Sequence, residues 1–154
     1  MQNANEIITE PIAAAEISQI ENIELLFFAY RDFVSDPDRI LDVHGFGRAH
    51  HRVLYFVNRS PGLTVAELLE ILRITKQSLG RVLKQLVQAG YVIQTEGERD
   101  RRKRLLFPTI QGRELILELS APQSKRFERA LMQFDDAERE KIIGFLRAMI
   151  GTTP

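Results

Sequence analysis

Two helix-start signals lie close together near the middle of the chain and constrain its fold most strongly. Thr64 and Glu67 form a Thr-x-x-Glu capping box, in which the two side chains satisfy backbone donors at a helix start. Thr75 has the character of a cap for a second helix over "KQSLGRVLKQLVQAG", which Gly90 ends. Because only "RIT" separates the two helices, the sequence predicts a helix-turn-helix.

A two-stranded β-hairpin with a basic tip is predicted directly after the second helix. The segments "YVIQTEG" and "RLLFPT" are β-prone, and they flank the strongly charged segment "ERDRRK". A helix-turn-helix followed by such a hairpin is the layout of a winged helix. The predicted fold class is therefore mainly α with a small β-hairpin wing, with the winged helix-turn-helix core at residues 45–109.

Helices are also predicted before the core. The segment "AAAEISQIENIELLFFAYRDFVSD" carries apolar residues at helical spacing, and Asp36-Pro37 ends it. A short helix over "DPDRILDVHG" would be capped by Asp36 or Asp38, and "GRAHHRVLYFVNRSPG" predicts a further helix.

After the wing, the chain is predicted to return to helix. A helix starting at Thr109 is expected to stop and restart at the Ser120/Pro122 boundary. The last helix, "DAEREKIIGFLRAMIG", would be capped at Asp135 or Asp136.

The size of the chain indicates one domain over residues 1–154, because 154 residues can bury one sizeable core. The long helices at 12–35 and 110–150 carry more apolar surface than a small domain can bury, which predicts that they form a homodimer. The apolar residues in question are Ile17, Ile20, Leu25, Phe27, Phe127, Leu131, Phe134, Ile142, Phe145 and Leu146.

The second helix of the predicted helix-turn-helix has an apolar stripe and an acid-free polar side. The stripe recurs at i, i+3, i+4 and i+7 and must face a core; it consists of Leu79, Val82, Leu83 and Leu86. A merely solvated helix face usually mixes Glu with Lys. Here the polar side holds only Lys76, Gln77, Ser78, Arg81, Lys84 and Gln85.

A helix of this kind fits the major groove of DNA, which is about 12 Å wide, with its first turns at the base edges. Arg suits bidentate contact with guanine and Gln with adenine, while hydroxyls serve phosphate or base. Gly80 would permit close approach of the backbone. The DNA-binding residues predicted here are Thr75, Lys76, Gln77, Ser78, Arg81 and Lys84. The alternative is a surface helix that happens to lack acids.

The tip of the hairpin adds a second set of DNA-binding residues. An Arg at a wing tip can enter the narrow, electronegative minor groove beside the major groove that the helix occupies. Asp100 is expected to be structural and to hold the tip in shape by pairing with an Arg. The DNA-binding residues predicted in the wing are Arg99, Arg101, Arg102 and Lys103. The alternative is a solvated charged turn.

The distribution of charge supports a polyanionic partner even though the chain is neutral overall. Residues 73–104 contain nine Lys and Arg and three Asp and Glu, a net charge of +6. Because the whole chain has 21 residues of each sign, the remainder carries −6. Salt screens charge beyond about 10 Å at ordinary concentration. A polyanion near this segment would therefore respond to its local positive charge rather than to the net charge of the chain.

Several other classes of protein are disfavoured. The chain has no cysteine, which excludes disulfides, thiolate catalysis and zinc fingers. Neither a signal peptide nor an apolar run of about 20 residues is present, so a cytoplasmic protein is expected. No catalytic or nucleotide-binding motif appears, and neighbouring His50 and His51 cannot readily share one metal. We therefore expect no enzyme, no metal and no cofactor.

Residues 63–115, "LTVAELLEILRITKQSLGRVLKQLVQAGYVIQTEGERDRRKRLLFPTIQGREL", resemble the winged-helix core of the MarR family of bacterial transcriptional regulators. The most specific segments are "RDRR", "FPTIQGREL" and "QLVQAGYV", and the flanking helices match the dimerisation elements of the family. The stretch from "GFGRAHH" to "TKQSL" further resembles a PetP-like subgroup. One departure is Gly97, which stands where the wing of the family often has an acid.

The resemblance implies a homodimer that binds a pseudo-palindromic operator in double-stranded DNA and is often released by a small aromatic or anionic ligand. It places an effector site between the dimerisation helices and the winged helix. The candidate residues combine aromatic walls with cations; they are Phe28, Arg31, His51, Arg52 and Tyr55. The alternative is that these aromatic residues belong to the core.

Two other functions stay open at this point. A winged helix can serve protein assembly, with its basic wing on an acidic partner. A small enzyme could use His51 with nearby acids, although nothing in the sequence nominates a substrate.

Overall fold

The computed structural model describes residues 7–151, in two units that divide between residues 33 and 34. The elements are α1 (Ile20–Ser35), α2 (Asp38–Val43), α3 (Arg48–Arg59), β1 (Leu63–Thr64), α4 (Val65–Leu72), α5 (Lys76–Gln88), β2 (Val92–Glu96), β3 (Arg104–Pro108), α6 (Ile110–Leu131) and α7 (Asp136–Met149). The predicted fold class, mainly α with a small β wing, is confirmed.

The helix-turn-helix has the predicted start and stop signals. Thr64 and Glu67 form the reciprocal capping box of α4, and the Thr75 hydroxyl accepts from the Ser78 N–H at the start of α5. The chain reverses between the helices at Arg73, which has a left-handed φ of 51°. Gly90, at φ 82°, follows the end of α5, where glycine adopts this backbone conformation without strain.

The sheet has three strands in the order β1-β3-β2, one more than the predicted hairpin. β2 and β3 form the expected antiparallel hairpin, and the two-residue strand β1 pairs on the other side of β3, with Leu63 opposite Leu106. A strand this short shows no alternating pattern in the sequence. Strand β1 is recognised only from the position of residues 63–64 beside β3 in the folded chain.

The core of the second unit lies among α3, α4, α5, the sheet and the first half of α6. The apolar stripe predicted for α5 is buried there. Its members pack in one cluster with residues of the other elements, including Val53, Leu54, Val57, Leu68, Val92, Leu106, Leu115 and Leu119. This packing fixes the orientation of α5 and leaves its polar side outward.

α6 is one continuous helix, so the predicted restart at Ser120/Pro122 is wrong. Pro122 lies inside the helix, where proline removes one backbone hydrogen bond and normally kinks or breaks a helix. The first half of α6 is anchored by buried Leu115, Ile116 and Leu119, just before the proline. Tertiary packing thus outweighs a local helix-breaking signal.

Two expectations before the core also need correction. α1 begins at Ile20 rather than near residue 12, because Gln19 adopts a left-handed φ of 63° that a right-handed helix cannot include. Neither Asp36 nor Asp38 caps α2; its N-cap is Pro37, without a side-chain cap bond.

Asp36 binds Arg126 of α6 instead, through two hydrogen bonds of 2.6 and 2.8 Å. This hydrogen-bonded guanidinium lowers the pKa of the Asp36 carboxyl below its ordinary value.

Candidate nucleic-acid interface

The polar side of α5 is exposed as predicted. Lys76, Gln77, Arg81 and Lys84 are all exposed, whereas Leu79 and Leu86 on the opposite side are almost fully buried. The helix begins at Lys76 without an acidic residue in its first turn. The partial positive charge at the N-terminus of α5 and its cationic side chains would therefore both attract an anion.

Thr75 and Ser78 also stabilise the start of α5. The Thr75 hydroxyl accepts from the Ser78 backbone N–H at 3.1 Å and donates to the Ser78 hydroxyl at 2.9 Å. The proton of the Ser78 hydroxyl is not used in this pair. The Ser78 side chain can therefore still donate a hydrogen bond outward.

A cluster that the sequence did not reveal ties α5 to α3. The His50 ring lies within hydrogen-bonding distance of the Gln85 side chain, and its Nδ1 accepts from the Gly47 N–H at 3.0 Å. The ring stacks on Phe46 at 4.8 Å, and Phe46 meets Tyr91 edge-to-face. Gln85 thereby contacts α3 while it stays exposed. The contacts His50–Gln85 and Phe46–Tyr91 join residues 35 or more positions apart, so no local pattern could indicate them.

Asp100 bonds to Arg102 at the tip of the wing. One carboxylate oxygen accepts from the Arg102 backbone N–H at 3.0 Å and from Arg102 Nε at 3.2 Å. These bonds, the side-chain bond first, lower the pKa of Asp100 below its ordinary value. Arg102 therefore has an intramolecular partner, whereas Arg99 and Arg101 form no ion pair with any described residue within 4 Å.

Gly97, the departure from the family pattern, is explained by the turn of the wing. A Cβ at this position would lie 2.7 Å from the Asp100 carbonyl oxygen, which is closer than real Cβ contacts allow. The Gly97 N–H donates to the Lys103 carbonyl at 2.9 Å. The wing contains the ion pair Asp100–Arg102 at its tip. It also contains the ion pair Glu96–Arg104, at 3.1 Å, where β2 ends and β3 begins.

The candidate effector residues lie on two helices. On α1, the Arg31 guanidinium lies 4.8 Å from the centre of the Phe28 ring. On α3, Arg52 and Tyr55 are exposed and His51 is buried. Burial, then the charge of Arg52, lowers the pKa of His51, so its imidazole is neutral near pH 7. On α3, the side chain that carries positive charge near pH 7 is therefore Arg52 and not His51.

Neither a metal site nor a membrane span is found in residues 7–151. No group of three His, Asp or Glu side chains there could hold a metal ion. No helix of that range combines the length and the apolar composition needed to cross a bilayer.

The short helix pair, the exposed basic side of α5 and the basic hairpin define a winged helix-turn-helix protein. A model of the MarR family matches residues 44–103. The transcriptional regulator PetP of Rhodobacter capsulatus is 47% identical over 129 residues, which cover 84% of this chain and 76% of PetP. The chain therefore belongs to the MarR family of transcriptional regulators, as the sequence indicated.

Solved structures agree with this fold. A MarR transcriptional regulator from Methanosarcina mazei is 26% identical with a TM-score of 0.66, covering 84% of this chain and 91% of that one. A MarR-family regulator from Listeria monocytogenes, crystallised with a 26mer DNA, is 21% identical with a TM-score of 0.71; the match covers 82% and 84% of the two chains.

Proposed function

We propose that the protein is a homodimeric, sequence-specific regulator that binds a pseudo-palindromic operator in double-stranded DNA. The observation that carries this proposal is the exposed, acid-free side of α5 beside a wing whose tip bears Arg99 and Arg101, all within a segment of net charge +6. The crystallisation of a structural relative with DNA supports the same partner.

The two parts of this surface would read DNA differently. α5 would place Lys76, Gln77 and Arg81 against base edges in the major groove, with Thr75, Ser78 and Lys84 on base or phosphate. The wing would reach the adjacent minor groove through Arg99 and Arg101, with Arg102 and Lys103 near the phosphates. Asp100 would keep the tip in shape.

The exposed apolar side chains of the terminal helices support a homodimer. Phe27 and Leu25 of α1 are 62% and 57% exposed, and Phe145 of α7 is 61% exposed. Phe127 of α6 and Leu146 of α7 are also exposed. A helix that exposes several large apolar side chains forms an interface more often than a solvated surface. A second copy of the chain is the partner that symmetry favours.

A small aromatic or anionic ligand would regulate the binding of DNA. On α1, Arg31 and Phe28 place a cation beside an aromatic ring. On α3, Arg52 and Tyr55 are a second exposed cation and aromatic side chain. A ligand with an aromatic ring and a carboxylate would match these groups.

Selection of bound sequences from a random duplex library with the purified protein tests the proposed function. We expect a palindromic motif and a steep fall in affinity with salt, because neutralising phosphates releases counterions. A basic wing that serves an acidic protein partner would enrich no sequence. That outcome would replace the regulator by an assembly module.

Arg81→Ala should relax the base preference of the protein. Its guanidinium stands on the exposed side of α5, so losing a bidentate base contact should cost about 1–3 kcal/mol on the selected operator. The selected motif should lose preference at one position of each half-site. Arg113→Ala, an exposed Arg of α6, is the control and should leave the motif unchanged. An equal loss on random DNA would assign Arg81 to a phosphate.

Arg101→Ala should weaken binding most at operators with AT-rich flanks. Narrow AT-rich minor grooves concentrate the negative potential that an Arg at the wing tip would read. Competition binding with operators that differ only in their flanks measures this effect, and Arg101→Lys retains the charge as a control. The same loss with every flank would contradict contact with the minor groove.

A further inference from the structure

His50 lies where α3 meets α5 and uses both of its ring nitrogens there. It is the third residue of α3, and its Nδ1 accepts from the backbone N–H of the N-cap residue Gly47 at 3.0 Å. Because Nδ1 accepts, the neutral ring carries its proton on Nε2. Nε2 therefore donates to Oε1 of Gln85 on α5. One ring thus caps α3 and bonds α3 to α5.

The orientation of the His50 ring is also fixed by packing. The ring stacks on Phe46, with 4.8 Å between the ring centres and 14° between the planes. Phe46 in turn meets Tyr91 edge-to-face at 5.5 Å. Tyr91 follows the end of α5, and its N–H donates to the Leu86 carbonyl at 2.9 Å. The stacked rings of His50 and Phe46 therefore contact α5 through Gln85 and the chain just after α5 through Tyr91.

Gln85 shares one side of α5 with two residues that the proposed function places at base edges. Gln77, Arg81 and Gln85 stand at i, i+4 and i+8, so they follow one line along the helix. The buried stripe holds α5 against the core, but apolar attraction is not directional. A hydrogen bond requires a narrow range of angles. The bond at Gln85 can therefore set the rotation of α5 about its own axis.

We propose that His50 is a positioning residue for the reading of bases, because it fixes the rotation of α5 through Gln85. This rotation aims Gln77 and Arg81 at the base edges. The inference rests on the proposed function. Base contacts need hydrogen bonds of good geometry, whereas attraction to phosphates tolerates a small rotation of the helix. His50 therefore matters for the operator and little for random duplex DNA.

The variants His50→Asn and His50→Gln separate the bond to α5 from general stability. Both lose the ring that stacks on Phe46, so their melting temperatures should fall by similar amounts. A glutamine amide reaches about as far as histidine Nε2 and can still donate to Gln85, while asparagine is one carbon shorter and cannot.

The Kd for the selected operator should rise about tenfold in His50→Asn, because a dimer would lose the bond in both half-sites. In His50→Gln it should stay near the wild-type value, and the Kd for random duplex DNA should be unchanged in both variants. A role in stability alone would raise the operator Kd of both variants equally. Equal operator Kd values in the two variants would overturn the proposal.

A double-mutant cycle shows whether Gln85 acts with His50 or contacts DNA itself. Gln85→Met keeps the size and the helix propensity of the side chain and removes the acceptor. It should raise the operator Kd as much as His50→Asn, and the double variant should bind no more weakly than either single one. Additive losses would place Gln85 on the DNA and overturn the positioning role, while the wild type still selected its operator. A wild-type protein that binds no duplex DNA would overturn the proposed function and this inference with it.

Discussion

Gly112→Ala should be among the most destabilising single-methyl additions in this protein. Gly112 lies in the first turn of α6, and a Cβ there would stand 2.1 Å from the Tyr91 carbonyl oxygen and 3.1 Å from the Tyr91 carbonyl carbon. Both are backbone atoms, so no side chain can rotate to make room. Either α6 or the segment after α5 must move.

Such a movement would disrupt several contacts at once. The Thr109 N–H donates to the Tyr91 carbonyl at 3.2 Å, and the Thr109 hydroxyl donates to the Gly90 carbonyl at 2.6 Å while capping α6. We expect a loss of about 3 kcal/mol in the free energy of unfolding, at the upper end of the range for overpacking. Equilibrium unfolding in urea measures it.

Gly80→Ala is the matched control, because it is the same substitution in a helix where the methyl group meets open space. It should increase stability by about 0.5–1 kcal/mol. If Gly112→Ala proved as stable as the wild type, the close approach of α6 to the Tyr91 carbonyl would be wrong.

Local signals account for what the sequence predicted correctly. The caps at Thr64 and Thr75 and the exposed side of α5 each depend on residues a few positions apart, which a sequence displays directly. The same holds for Asp100, whose partner Arg102 is two residues away.

Contacts between distant segments account for what the sequence could not predict. Continuity of α6 through Pro122 depends on packing, and the pairing of β1 depends on β3, some 40 positions later. The link from His50 to Gln85 arises only when α3 and α5 come together. The family motif marks Gly112, but only the Tyr91 carbonyl explains why glycine is needed there.

Replacing both Phe145 and Leu146 by Asp should dissociate the proposed dimer. These neighbours on α7 are 61% and 42% exposed, so the substitutions leave the core of the protomer intact. Burying a Phe or Leu side chain contributes about 1.5–3 kcal/mol each. A symmetric dimer carries each substitution twice, and each side chain is already about half buried in the protomer. Losing all four, and introducing charge, should therefore weaken dimerisation on the order of 100- to 10,000-fold. Sedimentation velocity would show the change.

The double variant Lys141→Ala, Arg147→Ala is the control for charge. It lowers the charge of α7 by the same two units and keeps Phe145 and Leu146 in place. We expect this variant to remain a dimer with unchanged operator preference. A second disruption, deletion of residues 1–35, removes α1 instead and should also yield monomer or aggregate.

Dissociation should abolish operator preference before it abolishes nonspecific affinity for DNA. One α5 and one wing cover a few base pairs and present a +6 segment, which gives weak, poorly selective binding. The α5 helices of two protomers can read the two halves of a palindrome only when the dimer holds them about 34 Å apart, which is one turn of DNA. The Asp variant should therefore still bind random duplex weakly at low salt without protecting a specific footprint. A monodisperse monomer that kept full operator selectivity in footprinting would refute the dimer.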